Sequence, residues 1–229
     1  MNVRRVFHRG AQAGGSAQLR GTTAHTGRHR RILSGMSPRL APVLSPADLP
    51  VAELCSARLD GELYGIGDGW CPIDEPDDAR TRSLAAALLV PPRAVAERMT
   101  AAWIHGAAPA PARQQYCVDA RCRVKMILSP RIQLREVTLA DDDVVALPGI
   151  RVTTPLRTLA DIAGDPSLDD AEAVAALGRL MARFGLEAAR VLERLPRSGR
   201  QHDCAAARLR AAASVASDAS GCDGRVSRR

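Results

Sequence analysis

Along the chain the apolar positions change period at well-marked places, and the clearest change lies between Pro148 and Gly164. Ile150 and Val152 alternate with Arg151 and Thr153 as in a half-buried strand, whereas Leu156, Leu159, Ala160 and Ala163 fall on one face of a helix. Thr154 is placed to cap that helix. Pro155 takes its first position, where a missing N–H costs nothing, and Gly164 marks its end. A strand running straight into a helix is expected here.

Upstream, Ser45 to Gly61 reads as a turn and a helix with Val51, Leu54 and Leu59 as apolar contacts. Glu62–Ile66 and Trp70–Ile73 then flank Gly67-Asp68-Gly69, the pattern of a hairpin. Asp74 to Asp78 is an acidic linker, and Thr81 to Leu89 a short helix stopped by Pro91-Pro92. Arg93 to His105 is predicted helical, with Val95, Met99, Ala102 and Trp103 on one face and Arg93 four residues before Glu97. His105 at its end is expected to serve the helix terminus as a cation rather than to do chemistry.

Strands are predicted around Gln114–Val118, Arg123–Ile127, Ile132–Leu139 and Val144–Leu147, with a bulge near Arg135-Glu136 where the alternation slips. Asp141-Asp142-Asp143 reads as a turn rather than a metal cluster, because consecutive carboxylates point in different directions. Helices follow at Asp170–Phe184, with Val174, Leu177 and Met181 in one stripe, at Leu186–Leu195 and at Arg197–Ala213. In the last of these Arg200, Arg208 and Arg210 are read as solvated, and residues 214–229 as a disordered tail.

The stretch Met99-Thr-Ala-Ala-Trp-Ile-His-Gly106 together with Ile150–Gly164 resembles the central part of the AbiEi-type antitoxins of type IV toxin–antitoxin pairs, common in actinobacteria. The resemblance spans roughly residues 45 to 195. It implies an α+β fold: a partial winged helix-turn-helix, then a small mixed α/β central domain and C-terminal helices. The corresponding divisions are a basic arm at 1–44, a partial winged-helix module at 45–76, the central domain at 77–196, and a C-terminal helix and tail at 197–229. It also implies operator DNA as a partner, a nucleotidyltransferase-like toxin as a second, and a homodimer.

Composition modifies this picture in one respect. The formal net charge is +7, but eight arginines and no acidic residue precede Ser45, so the remainder nets about −1 and is not a basic protein. The first 44 residues are then either a basic arm that touches nucleic acid or the product of a start assigned upstream of Met36; in both cases they are expected to be disordered. Hydrophobic residues make up 46 % of the chain but aromatic ones only 3 %, so the core must be built of Ala, Leu and Val. Lys125 is the single lysine, which fits the codon usage of a GC-rich genome.

Six scattered cysteines without a Cys-x-x-Cys pair fit reduced thiols in the cytoplasm better than a zinc site or a disulfide framework. No apolar run approaches the roughly 20 residues of a membrane span, and no secretory signal is evident. After Leu168 there is neither a lysine nor a strand-like run for a Mg²⁺-dependent nuclease sheet. Gly15-Ser16 lacks the following aspartates that a nucleotidyltransferase needs. No catalytic residue, metal or cofactor is therefore expected.

A helix that leads directly into a hairpin is the second half of a winged helix-turn-helix, in which the helix enters the major groove and the wing lies on the backbone. Ser56 and Arg58 on the helix, Tyr64 on the hairpin, and Arg80 and Arg82 beyond it are the candidate DNA contacts. The alternative is that helix and hairpin only cover the next domain. Two functions follow: a DNA-binding antitoxin, autorepressor and toxin antagonist, or a protein-interaction module without DNA binding or solitary degenerate antitoxin remnant.

Overall fold

The computed structural model describes residues 40–90, 93–121, 129–195 and 198–223. Helix α1 (Val51–Leu59) leads into the antiparallel pair β1 (Leu63–Ile66) and β2 (Gly69–Pro72), and α2 (Ala79–Ala87) follows. Then come β3 (Val95–Ala96), α3 (Arg98–Ile104), β4 (Gln114–Asp119), β5 (Ile132–Val137), β6 (Val144–Leu147) and β7 (Ile150–Thr153). Helices α4 (Pro155–Ala163), α5 (Asp170–Phe184), α6 (Ala188–Leu192) and α7 (Arg200–Asp223) complete an α+β fold.

The larger sheet has the order β5-β4-β3-β7-β6. Its centre is the two-residue strand β3, antiparallel to β4 and parallel to β7. The sequence makes this segment the start of a helix, since Arg, Ala and Glu favour helices. Pairing on both sides overrides that preference, and α3 begins only at Arg98. The expected Arg93–Glu97 pair is accordingly absent; Glu97 instead meets Arg98 and Arg135. Gln115 of β4 supplies what α3 lacks as a cap, its Oε1 accepting from Met99 N at 2.9 Å.

The strand-to-helix junction matches its sequence pattern. Thr154 Oγ1 accepts from Arg157 N, Pro155 opens α4, and Gly164 is its C-cap. Leu159, Ile162 and Ala163 are fully buried against Met99, Leu177, Leu180 and Leu209 in a core shared by α3, α4, α5 and α7. A Cβ on Gly178 would sit 3.2 Å from Ala212 O, so a glycine there lets α5 and α7 approach closely. A second core joins Ala85, Trp103, Ile104, Tyr116, Ile150 and Val152 on one sheet face, and Val95, Cys117 and Leu139 fill the other.

Several expectations are corrected. β5 pairs with β4 in unbroken parallel register from Ile132 to Val137, so no bulge interrupts it at Arg135-Glu136. Arg208 is buried, not solvated: it donates to the carbonyls of Asp165 at 2.5 Å and Leu168 at 2.9 Å and to the Asp170 carboxylate at 2.7 Å. Backbone carbonyls left over beyond α4 explain this, because a guanidinium carries five donors and can serve several at once. Residues 214–223, read as tail, continue α7. Val43 and Leu44, read as part of the arm, are buried, and Leu44 bridges to Trp70. The strand expected at 123–127, the stop at Pro91-Pro92 and residues 1–39 lie outside the described residues.

Candidate nucleic-acid interface

Helix α1 keeps only Leu54 and Ala57 inside, against Leu44 and Leu63 with Leu49 and Trp70 around them. Val51 and Leu59, expected as core contacts, face outward, Leu59 with 88 % of its surface exposed. The helix covers the hairpin with one narrow stripe, and the rest of its circumference is free. Glu62 N donates to Ala57 O at 2.9 Å and Ile73 N to Glu62 O at 3.0 Å, which fixes the hairpin directly behind the helix end.

Of the five candidate contacts, Ser56 and Arg58 are exposed on that outer side. The Arg58 guanidinium lies over Gly65 of β1, 3.6 Å from where a Cβ would stand. Tyr64 is half-buried and donates its hydroxyl to Glu75 O at 3.2 Å, and burial raises its pKa above the ordinary phenol value. Arg80 is exposed and 3.8 Å from Glu75. Arg82 is half-buried and held within the chain, Nε donating to exposed Asp77 at 2.6 Å and Nη1 to Trp103 O at 3.1 Å. The structure therefore leaves Ser56 and Arg58 both exposed, on opposite flanks of the buried stripe of α1, and engages Arg82 with Asp77 and the Trp103 carbonyl.

The hairpin tip is tied down. Gly67 takes φ +55°, as the turn requires, and its place for a Cβ is 3.0 Å from the Trp103 ring. Asp68 accepts from Arg131 at 2.9 Å and from Gln114 at 3.3 Å, both where β4 and β5 begin. Charge adds to this: residues 45–76 carry Arg58 alone against Asp48, Glu53, Asp60, Glu62, Asp68, Asp74 and Glu75. Asp78, which the sequence reading leaves in a linker, caps α2 by accepting from Arg80 N and Thr81 N, and these bonds lower its pKa.

Behind this module, the central sheet and helices are joined by a chain of charges that sequence spacing does not disclose, except for Arg157 and Asp161 one helical turn apart. Asp143, in a short 3-10 turn where the sequence reading puts a turn, accepts from Arg157 at 2.7 Å and Arg194 at 3.1 Å. Asp161 meets Arg135 at 3.1 Å, and Arg135 meets buried Glu97 at 2.6 Å. His105 ends α3 as expected, but as a buried group rather than a cation. Its Nε2 donates to Thr153 O at 2.8 Å, its ring meets Phe184 edge-on, and burial lowers its pKa.

The profile of the AbiEi antitoxin C-terminal domain matches residues 94–215, from β3 into α7 and thus across the larger sheet and its helices. The chain belongs to the AbiEi antitoxin family. The AbiEi match begins beyond α1 and the hairpin, so that module stands outside it. The crystal structure of the RV2827C protein from Mycobacterium tuberculosis is similar at 17 % identity and a TM-score of 0.42, over 75 % of this AbiEi chain and 72 % of that one. No curated protein matches the chain. Among the described residues no group of His, Cys, Asp and Glu is arranged to hold a metal. Cys55, Cys71, Cys117 and Cys204 are free, and among the described residues no helix is long and apolar enough to cross a membrane.

Proposed function

We propose that this protein is a cytoplasmic, non-enzymatic antitoxin that binds operator DNA to repress its own expression and antagonises a cognate nucleotidyltransferase-like toxin, acting as a homodimer. One observation carries the DNA part: α1 runs directly into a hairpin while all of it but the Leu54–Ala57 stripe, exposed Ser56 and Arg58 included, stays uncovered. Because phosphate contacts dominate DNA affinity, a module with one arginine and seven carboxylates needs help. The eight arginines before Ser45 are the available source of such phosphate contacts.

A gel shift against the promoter region of its own gene, with the full chain and a chain starting at Met36, tests this reading. A specific, salt-sensitive complex that weakens on removal of the arm is expected. Arg58→Ala should weaken it by about 1 to 3 kcal/mol, the range of a base-directed arginine. Absence of any specific complex at low salt sinks the repressor.

The second reading, a protein-interaction module without DNA binding, is favoured by a separate observation. The hairpin tip is engaged by Arg131 and Gln114, and the module's free surface carries exposed Val51, Leu59 and Ile73. That surface suits an apolar partner better than a phosphate backbone. Co-purification of a toxin that Leu59→Asp abolishes, with no operator complex, would establish it.

A further inference from the structure

The larger sheet ends in two unlike edges. β5 carries Arg135 and Glu136, and charged side chains blunt an edge against further pairing. β6, at the other end, reads Val-Val-Ala-Leu, holds neither a charge nor a proline, and pairs with β7 without a bulge. Val145 keeps 37 % of its surface exposed, and Ala146 is exposed beside it. Such an edge is an open template for another strand.

The phase of the backbone decides which groups are on offer. Thr154 N donates to Asp143 O at 2.8 Å, so Asp143 turns toward β7. Antiparallel residues alternate between bonded and non-bonded pairs; Val145 and Leu147 therefore also bond to β7, and Val144 and Ala146 direct their N–H and C=O outward. No other described backbone group meets these four. Pro148, which has no N–H, ends the run.

We infer that β6 is the contact of a dimer: the β6 edges of two copies pair antiparallel about a two-fold axis at Val145 and join two five-stranded sheets into one. The inference rests on the homodimer reading above and assigns its surface. A second copy fits because the edge is its own complement. With Val145 opposite its symmetry mate, Val144 faces the partner's Ala146 and exchanges both bonds with it, and Ala146 does the same with the partner's Val144. All four outward groups of each chain are then used. The two Val145 side chains meet at the close, non-hydrogen-bonded position, where an apolar pair is stabilising. Antiparallel pairing also sets Asp142 opposite the partner's Pro148, so the two acidic turns stand roughly 20 Å apart. Asp142 and Asp143 are in addition already held by Arg194. The contact is short, so the dimer forms with rising concentration rather than as an obligate pair.

The test is sedimentation velocity of the full chain up to about 1 mM, where even a weak dimer is populated. A concentration-dependent dimer is expected. Val145→Lys sets two like charges directly opposite and should weaken it about tenfold or more. Ala146→Pro removes an outward N–H that β7 does not use and should act in the same direction. Circular dichroism and the Trp103 melt verify that both variants fold. Val145→Cys, with Cys55 and Cys204 changed to Ser, tests the register: Cα atoms about 4.5 Å apart at such a pair suit a disulfide, and mild oxidation should join the two introduced thiols, read by peptide mass. The same dimer in Val145→Lys and Ala146→Pro, or thiols that do not join, overturns the inference and leaves the homodimer with another contact. A full chain that stays monomeric overturns both, and if the edge variants then lose a bound toxin, the edge belongs to that partner.

Discussion

The helix–hairpin module and the AbiEi domain behind it handle charge in opposite ways. In the domain nearly every acid that approaches the interior meets an arginine: Glu97 with Arg98 and Arg135, Asp143 with Arg157 and Arg194, Asp165 with Arg98. In the module seven carboxylates face one arginine, α1 itself rests on little more than Leu44, Leu54, Ala57 and Leu63, and the hairpin adds Ile66 and Cys71 to the second core. Buried ion pairs add little net stability over apolar packing but are costly to break singly. The domain is thus a body whose parts are fixed relative to one another, with the hairpin anchored to it, whereas α1 is a thin layer held by few contacts and free to present its outside.

If that contrast is right, the largest single effects belong to the domain. Leu159→Ala removes a fully buried side chain between α3, α4, α5 and α7 and should cost roughly 2 to 5 kcal/mol. A chemical denaturation midpoint equal to the wild type would mean that α4 does not face that core. Arg208→Ala should follow at roughly 3 kcal/mol, because the carbonyls of Asp165 and Leu168 lose a charged donor together.

In the module, Leu54→Ala should have a local effect, about 2 to 3 kcal/mol seen by Trp70 fluorescence in a Trp103→Phe background. The domain transition, followed by Trp103 in a Trp70→Phe background, should move less. Truncation sharpens the same point. A chain from Met36 keeps Val43 and Leu44 and should melt as the full chain does. A chain from Ser45 loses the Leu44–Trp70 bridge and should lose the Trp70 signal first. Equal melting of both truncations would contradict the packing of Val43 and Leu44.

Where one residue's neighbours in sequence decide its state, the sequence was legible. Thr154, Pro155 and Gly164 delimit α4, Gly67-Asp68 turns the hairpin, and Asp170–Phe184 shows its helix by its stripe. The segment 93–97 was not legible, because its strand state depends on Cys117 and Arg151, far along the chain. Nor was the outward turn of Val51 and Leu59, since periodicity identifies an apolar residue but not which side of a short helix finds a neighbour. The candidate interface suffered similarly. Ser56 and Arg58 could be placed on one exposed helix from spacing alone, but Arg82 was claimed by Asp77 and the Trp103 carbonyl through contacts that no local pattern records. The chain of charges draws on residues spread from Glu97 to Arg194 and leaves almost no sequence trace.

The smallest expected effect concerns protons, and it too separates the two regions. His105 ends α3 against the Thr153 carbonyl, the Phe184 ring and nearby Arg183, and its pKa is lowered chiefly by burial, with Arg183 acting in the same direction against the Thr153 bond. A histidine with a depressed folded pKa binds its proton more readily when unfolded. Between the folded pKa and the ordinary value near 6.5 the unfolded state therefore holds more protons, and stability rises with pH across that window. Above about pH 6.5 the contribution is complete; on acidification below it, stability is lost at up to about 1.4 kcal/mol per pH unit until the folded form also protonates. This slope should appear in the Trp103 signal of the domain and not in the Trp70 signal of the module, where no histidine stands among residues 40–90. His105→Gln keeps a side-chain donor for Thr153 and should flatten the slope while costing little at pH 8. A slope that survives in His105→Gln would assign the effect to other groups and leave His105 a packing residue only.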